Sequence, residues 1–366
     1  MRQTKISSFF IFTFFVILSF GFYVQYSAAA GQLRPFLLHQ LSVFFIVGAP
    51  VFCIAWLQYP DQVFKYGYLF YLFCILLMLI VFFVGKSSMG AKRWIQIAGL
   101  NLQPGELVKI GSCIMLAKYF AYTRPSDLKS IAFLARPIFF VFLPIFFALK
   151  QPSLGTAALV FFILASVYFA IGVSIKQFLA AGCIFLLSAP ILWQYVMHDY
   201  QKTRIKTFFY IEKDQKGPAY NILQSKIAIG SGGMLGVGLF SGTQTQLGFL
   251  PERQTDFALS VIAEELGFLG VFTFIFFYLA LCCVGLVTAS RLQNLFEKIL
   301  IFSVSTSFFL HLAINACMVC GLLPVVGMPI PLVSYGGSAM VAAIVGFAFI
   351  LKAQFLLNSS VAIRNL

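Results

Sequence analysis

Apolar runs of about twenty residues recur along this chain, each cut short by a polar connector, and this repetition decides what solvent it can fold in. A run of more than ~18 residues with few charges is long enough to cross a bilayer as a helix. With 61% hydrophobic and 10% charged residues over 366 positions, the chain lies far outside the soluble range. The runs predict an all-α polytopic membrane protein of about ten transmembrane helices, a single integral-membrane domain over residues 1–366. The spans fall near 8–29, 36–57, 64–84, 106–122, 131–149, 153–173, 177–197, 257–288, 297–322 and 336–357. Arg2, Lys5 and the small residues Ser27 to Ala30 give the first run the outline of a signal peptide. Its apolar core, Phe9 to Val24, is long for one and reads as an uncleaved first helix.

An even number of spans puts both termini on one side, and the basic residues choose which. With the termini cytoplasmic, short inner segments hold Lys65, Lys118, Arg124, Lys129, Arg136, Lys176, Arg291, Lys298 and Lys352 besides the terminal cations. Their roughly two-to-one excess over the short outer segments satisfies the positive-inside rule. The long connector between the seventh and eighth spans, residues 198–256, then lies outside the cytoplasmic membrane. It carries Lys202, Arg204, Lys206, Lys213, Lys216, Lys226 and Arg253. Anionic lipid headgroups or a phosphorylated substrate would both suit such a face. The net charge of +14 belongs to this membrane setting, and no nucleic-acid signature accompanies it.

Chemistry should sit where charge enters the apolar runs. The chain has 11 acidic residues, and Asp256, Glu264 and Glu265 cluster in LPERQTDFALSVIAEELGFLG, from Leu250 to Gly270. A carboxylate at membrane depth costs about 2.5–3.5 kcal/mol on insertion scales, so it is read as functional by default. Asp256, at the entry of the run, is the leading candidate. If the segment is helical throughout, Glu264 lies about 80° round from Asp256 and Glu265 about 180° away. Glu264 is therefore expected to line a cavity with Asp256, and Glu265 to bind another helix.

Three other segments are candidates for the same site. In GAKRWIQIAGLNLQPGELVKI, Lys92 and Arg93 flank Trp94, and Arg93 has the planar fork that grips a pyrophosphate. Trp94 alone would be an interfacial anchor. Glu106 and Lys109, three apart at a helix start, share a face and can pair. The glycine-rich stretch Tyr220 to Glu252 lacks the GK[ST] ending of a nucleotide loop. It reads equally as a compact re-entrant turn or as a phosphate-binding loop, with Ser231, Thr243, Gln244 and Gln246 available to a sugar. In INACMVCGLLPVVGMPIPLVSYGGSAM, Pro324, Pro329 and Pro331 break the helix. Irregular backbone at membrane depth survives only in protein or beside a wet cavity, so Ser334, Tyr335 and Ser338 are expected to face one. Asn315 is expected to make an interhelical hydrogen bond. All eight cysteines fall in apolar runs, and His39, His198 and His311 are too scattered for a metal set.

Taken together, these segments resemble the SEDS family (shape, elongation, division and sporulation), and within it the RodA branch. The resembling stretches are GAKRWI with QPGELVKI, QPSLGTA, DYQKTRI, YNILQSKIAIGSGG, GTQTQLGFLPERQTDF, AEELGFLG and GLLPVVGMPIPLVSYGGS. The resemblance implies a peptidoglycan glycosyltransferase of the bacterial inner membrane, with ten transmembrane helices, acting in cell elongation and shape. It implies lipid II, the undecaprenyl-pyrophosphate-linked disaccharide peptide, as substrate, and a class B penicillin-binding protein with the elongation machinery as partners. The family's essential aspartate maps onto Asp256, its outer-loop tryptophan onto Trp94, and its charged pair onto Glu106 and Lys109. Ser153 and Gln254 depart from the usual acidic residue and histidine at their positions.

The implied reaction forms a β-1,4 bond while inverting an α-linked pyrophosphate donor. Asp256 is the expected general base. Lys92, Arg93, Lys109, Lys226 and Arg253 are the expected cations for the leaving pyrophosphate. A divalent cation such as Mg or Mn is left open as cofactor. A lipid II flippase, or a scaffold that only positions the penicillin-binding protein, are the alternatives, and a visible inverted repeat, the mark of many transporters, is absent.

Overall fold

The computed structural model describes residues 2–58, 60–88, 91–97, 100–197, 199–209 and 218–364. His198, Lys213 and Lys216 lie outside the described residues. Helices dominate: α1 (Arg2–Ala28), α2 (Phe36–Val43), α3 (Ala49–Leu57), α4 (Pro60–Val84), α5 (Pro104–Phe120), α6 (Ile131–Lys150), α7 (Leu154–Ala170), α8 (Ile175–Ile191), α9 (Asp199–Phe209), α10 (Pro218–Gly232), α11 (Thr243–Gln246), α12 (Ala258–Arg291), α13 (Leu295–Val319) and α14 (Gly337–Arg364). A π turn, Phe44–Gly48, joins α2 to α3 into one rod. Pro50 lies two residues after it, and its missing N–H leaves a carbonyl that a wider turn accommodates.

Among the described residues, seven helices or rods are long and apolar enough to cross a membrane. α5, α7 and α8 are shorter, at 17 residues each, and α5 and α7 both pack against α13. α5 runs through its middle, with every residue from Val108 to Ala117 buried. That setting explains its mixed sequence: a helix wrapped by protein needs no lipid-facing stripe.

Connectors gather alternately at two ends. At one end Arg253 Nε donates to the Ala28 carbonyl at 3.0 Å, the Tyr335 amide to the Gln254 carbonyl at 2.7 Å, and the Gln103 amide to Ser338 Oγ at 2.9 Å. At the other, Lys118 Nζ donates to the Lys65 carbonyl at 2.9 Å and Asn358 to Ser7 at 3.3 Å. The two chain ends therefore meet on the face opposite Asp256.

The segment between Lys86 and Leu102 is a small antiparallel meander, not an irregular loop: β1 (Lys86–Ser88), β2 (Ala91–Ile97) and β3 (Leu100–Leu102). The register shifts between Lys86, opposite Trp94, and Ser87, opposite Lys92, so Arg93 is the extra residue of a bulge in β2.

α12 is not the continuous span that its apolar length suggests. Gly267 adopts φ 65° and ψ −162° and breaks it. α10 runs beside its first half, where Ser225 and Ser260 hydroxyls meet at 2.9 Å. After Gly232 the chain crosses the break and satisfies it. Val237 and Gly238 amides donate to the Glu264 and Glu265 carbonyls at 3.0 and 3.2 Å. Phe268 and Leu269 amides donate to the Gly233 and Met234 carbonyls at 2.9 and 3.2 Å. A Cβ on Gly236 would overlap the Glu265 carbonyl, so the crossing requires glycine. Of the two readings of the glycine-rich stretch, the structure adopts the re-entrant turn.

Candidate active site

Asp256 lies in the turns that precede α12, not on the helix. The helical phase angles from Asp256 therefore do not apply. Its backbone is clamped from α13: Asn315 Nδ2 donates to the Asp256 carbonyl at 2.8 Å and to the Met328 carbonyl at 2.6 Å. Asn315 is fully buried, so both bonds are made away from water. Two residues earlier, the Gln254 carbonyl accepts from Tyr335 N at 2.7 Å and from Gln25 Nε2 at 3.2 Å. Glu252 closes the turn, its carboxylate accepting from Thr255 Oγ1 at 2.8 Å. Two helices, α1 and α13, and the proline-rich connector thus fix the backbone that carries this carboxylate.

Burial pushes the Asp256 carboxyl up to about 6, with Glu252 adding to the shift and Arg204 and Arg93 opposing it. Its surface is partly open, but protein crowds the remaining sides. Such a group is ionised near neutral pH and still basic enough to take a proton. Arg204, on α9, reaches the connector after α13 and donates to the Val325 carbonyl at 2.5 Å. Gly327 leaves room between them: a Cβ there would stand 3.5 Å from Asp256 Oδ2 and 4.0 Å from Arg204 Nη1.

The other expected residues divide. Arg93 is drawn inward, donating to the Gln151 carbonyl at 2.9 Å and to the Pro152 carbonyl, while remaining close enough to act on Asp256. Lys92 is exposed and Trp94 half-buried. Arg253 ties α11 to α1 through the carbonyls of Thr245 and Ala28. Lys226 is exposed on α10, over Gly321 at the end of α13.

Glu106 and Lys109 pair at 2.7 Å, both 4% exposed. Lys109 also donates to His311 Nε2 at 2.9 Å, and His311 Nδ1 meets the Ser307 carbonyl at 2.7 Å. The carbonyl requires a proton on Nδ1, which leaves Nε2 to accept from the ammonium. This buried set does not touch Asp256.

Glu264 does not line a cavity. It is fully buried, and its carboxylate accepts from the Gln244 and Thr245 amides at 2.7 and 3.0 Å and from Thr245 Oγ1 at 2.5 Å. The carboxylate anchors the connector that carries Asp256. Glu264→Gln should lower the unfolding free energy by about 1–3 kcal/mol, since an amide group would turn a donor onto these donors. Thermal unfolding of the detergent-solubilised variant checks this; an unchanged midpoint would contradict it. Glu265 holds α1, as expected of an interhelical contact, accepting from Tyr23 and from Ser27 at 2.7 Å. Gln246 donates to Glu265 at 3.0 Å, and Ser231 to Ala228 within its own helix at 2.8 Å.

Ser334 and Ser338 likewise serve the backbone rather than a cavity. Ser334 Oγ accepts from the Ile330 amide at 2.9 Å. Ser338 Oγ donates to the Asn101 carbonyl at 3.1 Å. Tyr335 packs on Phe36 and His39.

Sequence reasoning passed over Arg204 and Glu252 as site residues and gave Asn315 only a generic bond. The signals for Arg204 were its place among the cations of the long connector and in DYQKTRI. Among the described residues no three His, Cys, Asp or Glu side chains group as a metal set. Asp256 and Glu252 offer two carboxylates, so a divalent cation there would complete its shell from a phosphorylated substrate and water.

The chain matches the FtsW/RodA/SpoVE cell cycle protein model over residues 3–358. It is 38% identical over 304 residues to the peptidoglycan glycosyltransferase MrdB of Escherichia coli K12, covering 82% of this chain and 81% of that one. It is 33% identical over 346 residues to a probable peptidoglycan glycosyltransferase FtsW of Geobacter metallireducens, covering 91% and 90%. A chain from a solved peptidoglycan synthase complex, described as coordinating polymerization and crosslinking, superposes with TM-score 0.80 at 26% identity, covering 94% of this chain and 96% of that one. The Thermus thermophilus rod shape determining protein RodA shares the fold, with TM-score 0.69 at 24% identity over 94% and 95% of the two chains.

Proposed function

The chain belongs to the FtsW/RodA/SpoVE family and is a peptidoglycan glycosyltransferase, and from that premise we propose that it polymerises lipid II with Asp256 as general base. The observation that carries the reading is one half-buried carboxylate, clamped by Asn315 and poised near neutral pH, with two guanidinium groups acting on it.

In this reading the Asp256 carboxylate takes the proton from the acceptor sugar 4-hydroxyl as that oxygen attacks the anomeric carbon of the donor. The bond to pyrophosphate breaks, and its electron pair leaves with the phosphate oxygen. Arg204 and Arg93, preorganised by backbone carbonyls, stabilise the charge that develops there. Lys92 on β2 and Lys226 on α10, both exposed, serve the same anion in this reading. The Asp256 face is the outer face of the bacterial cytoplasmic membrane, a placement supported by Lys65, Lys118, Arg124, Lys129 and Arg136 at the opposite end. A class B penicillin-binding protein is the proposed partner, on the strength of the likeness to the synthase complex.

Incubating the purified chain with lipid II, alone and with such a partner, should give a ladder of glycan strands on a gel. Movement of lipid II across proteoliposomes without polymer would favour a transporter instead.

The pH dependence is a second test. Only ionised Asp256 can act as base, so the rate should rise with pH through about 6. Glu252 raises the carboxyl, so Glu252→Gln should move this limb to lower pH. Arg204 lowers it, so Arg204→Ala should move the limb upward, each by about one unit. Initial rates between pH 5 and 8 decide this; limbs that coincide would sink the assignment.

A further inference from the structure

At the face opposite Asp256, a cleft opens between α1, α12 and α14. Its polar lining is Ser7, Thr288, Arg291, Gln354 and Asn358, and the catalytic account uses none of them. Thr288 donates its hydroxyl to the Val284 carbonyl at 2.7 Å, so toward Gln354 it can only accept. It does so from Gln354 Nε2 at 3.3 Å, and this fixes the amide orientation. Gln354 Oε1 is then left without a donor, although Gln354 is only 4% exposed. A buried acceptor with nothing to accept is costly, and such groups normally find a partner.

The cleft supplies a second half of the answer. Arg291, in the last turn of α12, is exposed at its rim and carries a fork suited to phosphate. The cleft is half open, and the water-accessible space within it is about 20 Å³, enough for a small polar group. Val287, beside the polar groups, is 44% exposed, so the cleft opens onto an apolar flank. A ligand that fits has a small donor for the floor, a phosphate for the rim and acyl chains for the flank.

We propose that this cleft binds a glycerophospholipid headgroup that joins a phosphate to a hydrogen-bond donor, as phosphatidylethanolamine does. With a small turn of the Gln354 amide the ammonium donates to Oε1, the phosphate pairs with Arg291, and the acyl chains lie along Val287. Choline headgroups carry no N–H and leave the acceptor unmet.

Native mass spectrometry of the delipidated full chain, titrated with phosphatidylethanolamine, phosphatidylcholine or soluble phosphoethanolamine, tests this. The wild type should retain phosphatidylethanolamine about tenfold more tightly than phosphatidylcholine. Phosphoethanolamine should bind far more weakly than the lipid, because it lacks the chains. Gln354→Leu should bring phosphatidylethanolamine down to the phosphatidylcholine level, whereas Gln354→Glu, which keeps an acceptor, should retain the preference. Arg291→Ala should weaken both lipids. Equal retention of the two lipids by the wild type, or a preference that survives Gln354→Leu, would mean that water serves the acceptor and would overturn the proposal.

Discussion

Asp256→Asn is expected to cut glycan polymerisation by about 10²–10⁴-fold, the contribution typical of a positioned general base, while leaving the fold intact. The substitution preserves the side-chain shape, and the Asn315 clamp is made to the backbone carbonyl, which every residue has. What changes is proton affinity: an amide cannot take the acceptor hydroxyl proton. Stability should not suffer either. The carboxyl is raised in the folded chain from 3.8 to about 6, so the fold favours the protonated form. The stabilisation linked to that shift is fully present below the unfolded value and is lost as pH rises through about 6. At pH 7 the ionised aspartate is therefore a burden on the fold, and a neutral amide should leave the unfolding midpoint unchanged or slightly higher.

The second large effect concerns Glu106 and Lys109. Removing one partner of a buried ion pair leaves the other charge without compensation and costs about 3–5 kcal/mol. Lys109→Met and Glu106→Gln should each destabilise the detergent-solubilised protein by roughly that amount. His311 cannot stand in for either, because its Nδ1 proton is engaged by the Ser307 carbonyl and its Nε2 only accepts. Combining the two substitutions should recover much of the loss, since no bare charge remains. Activity should follow the same pattern. His311 and Asn315 lie one turn apart on α13, so a shift of the buried set reaches the Asp256 clamp directly. Thermal unfolding of both single variants and the double variant, with activity in parallel, checks this. Single variants as stable as the wild type would contradict it.

Much of the bundle was legible because lipid imposes length: a run that crosses a bilayer must be apolar for about twenty residues. The break in α12 was not legible. A glycine inside a helical pattern is ordinarily tolerated, and what makes Gly267 a break is the strap at residues 233–238, which supplies the lost hydrogen bonds from thirty residues away. Asp256 stood out as a candidate because a carboxylate at the edge of an apolar run has few uses. The cations around it were not separable by sequence. Arg253 looks like a phosphate ligand when written as letters, yet it ties α11 to α1 through two carbonyls, while Arg93 and Arg204, themselves held by carbonyls, act on Asp256. Glu264 misled for a similar reason: a buried carboxylate that caps backbone amides is spelled the same as one that faces substrate.

Glycan synthesis by matched preparations of the wild type and Asp256→Asn is the most direct test of the central claim. Both are purified with the proposed partner, given labelled lipid II, and resolved on a gel. A strand ladder is expected from the wild type and none from the variant, with equal unfolding midpoints and equal recovery of the partner. Ladders of similar length and rate from both would show that the proton leaves by another route, and Asp256 would lose its role.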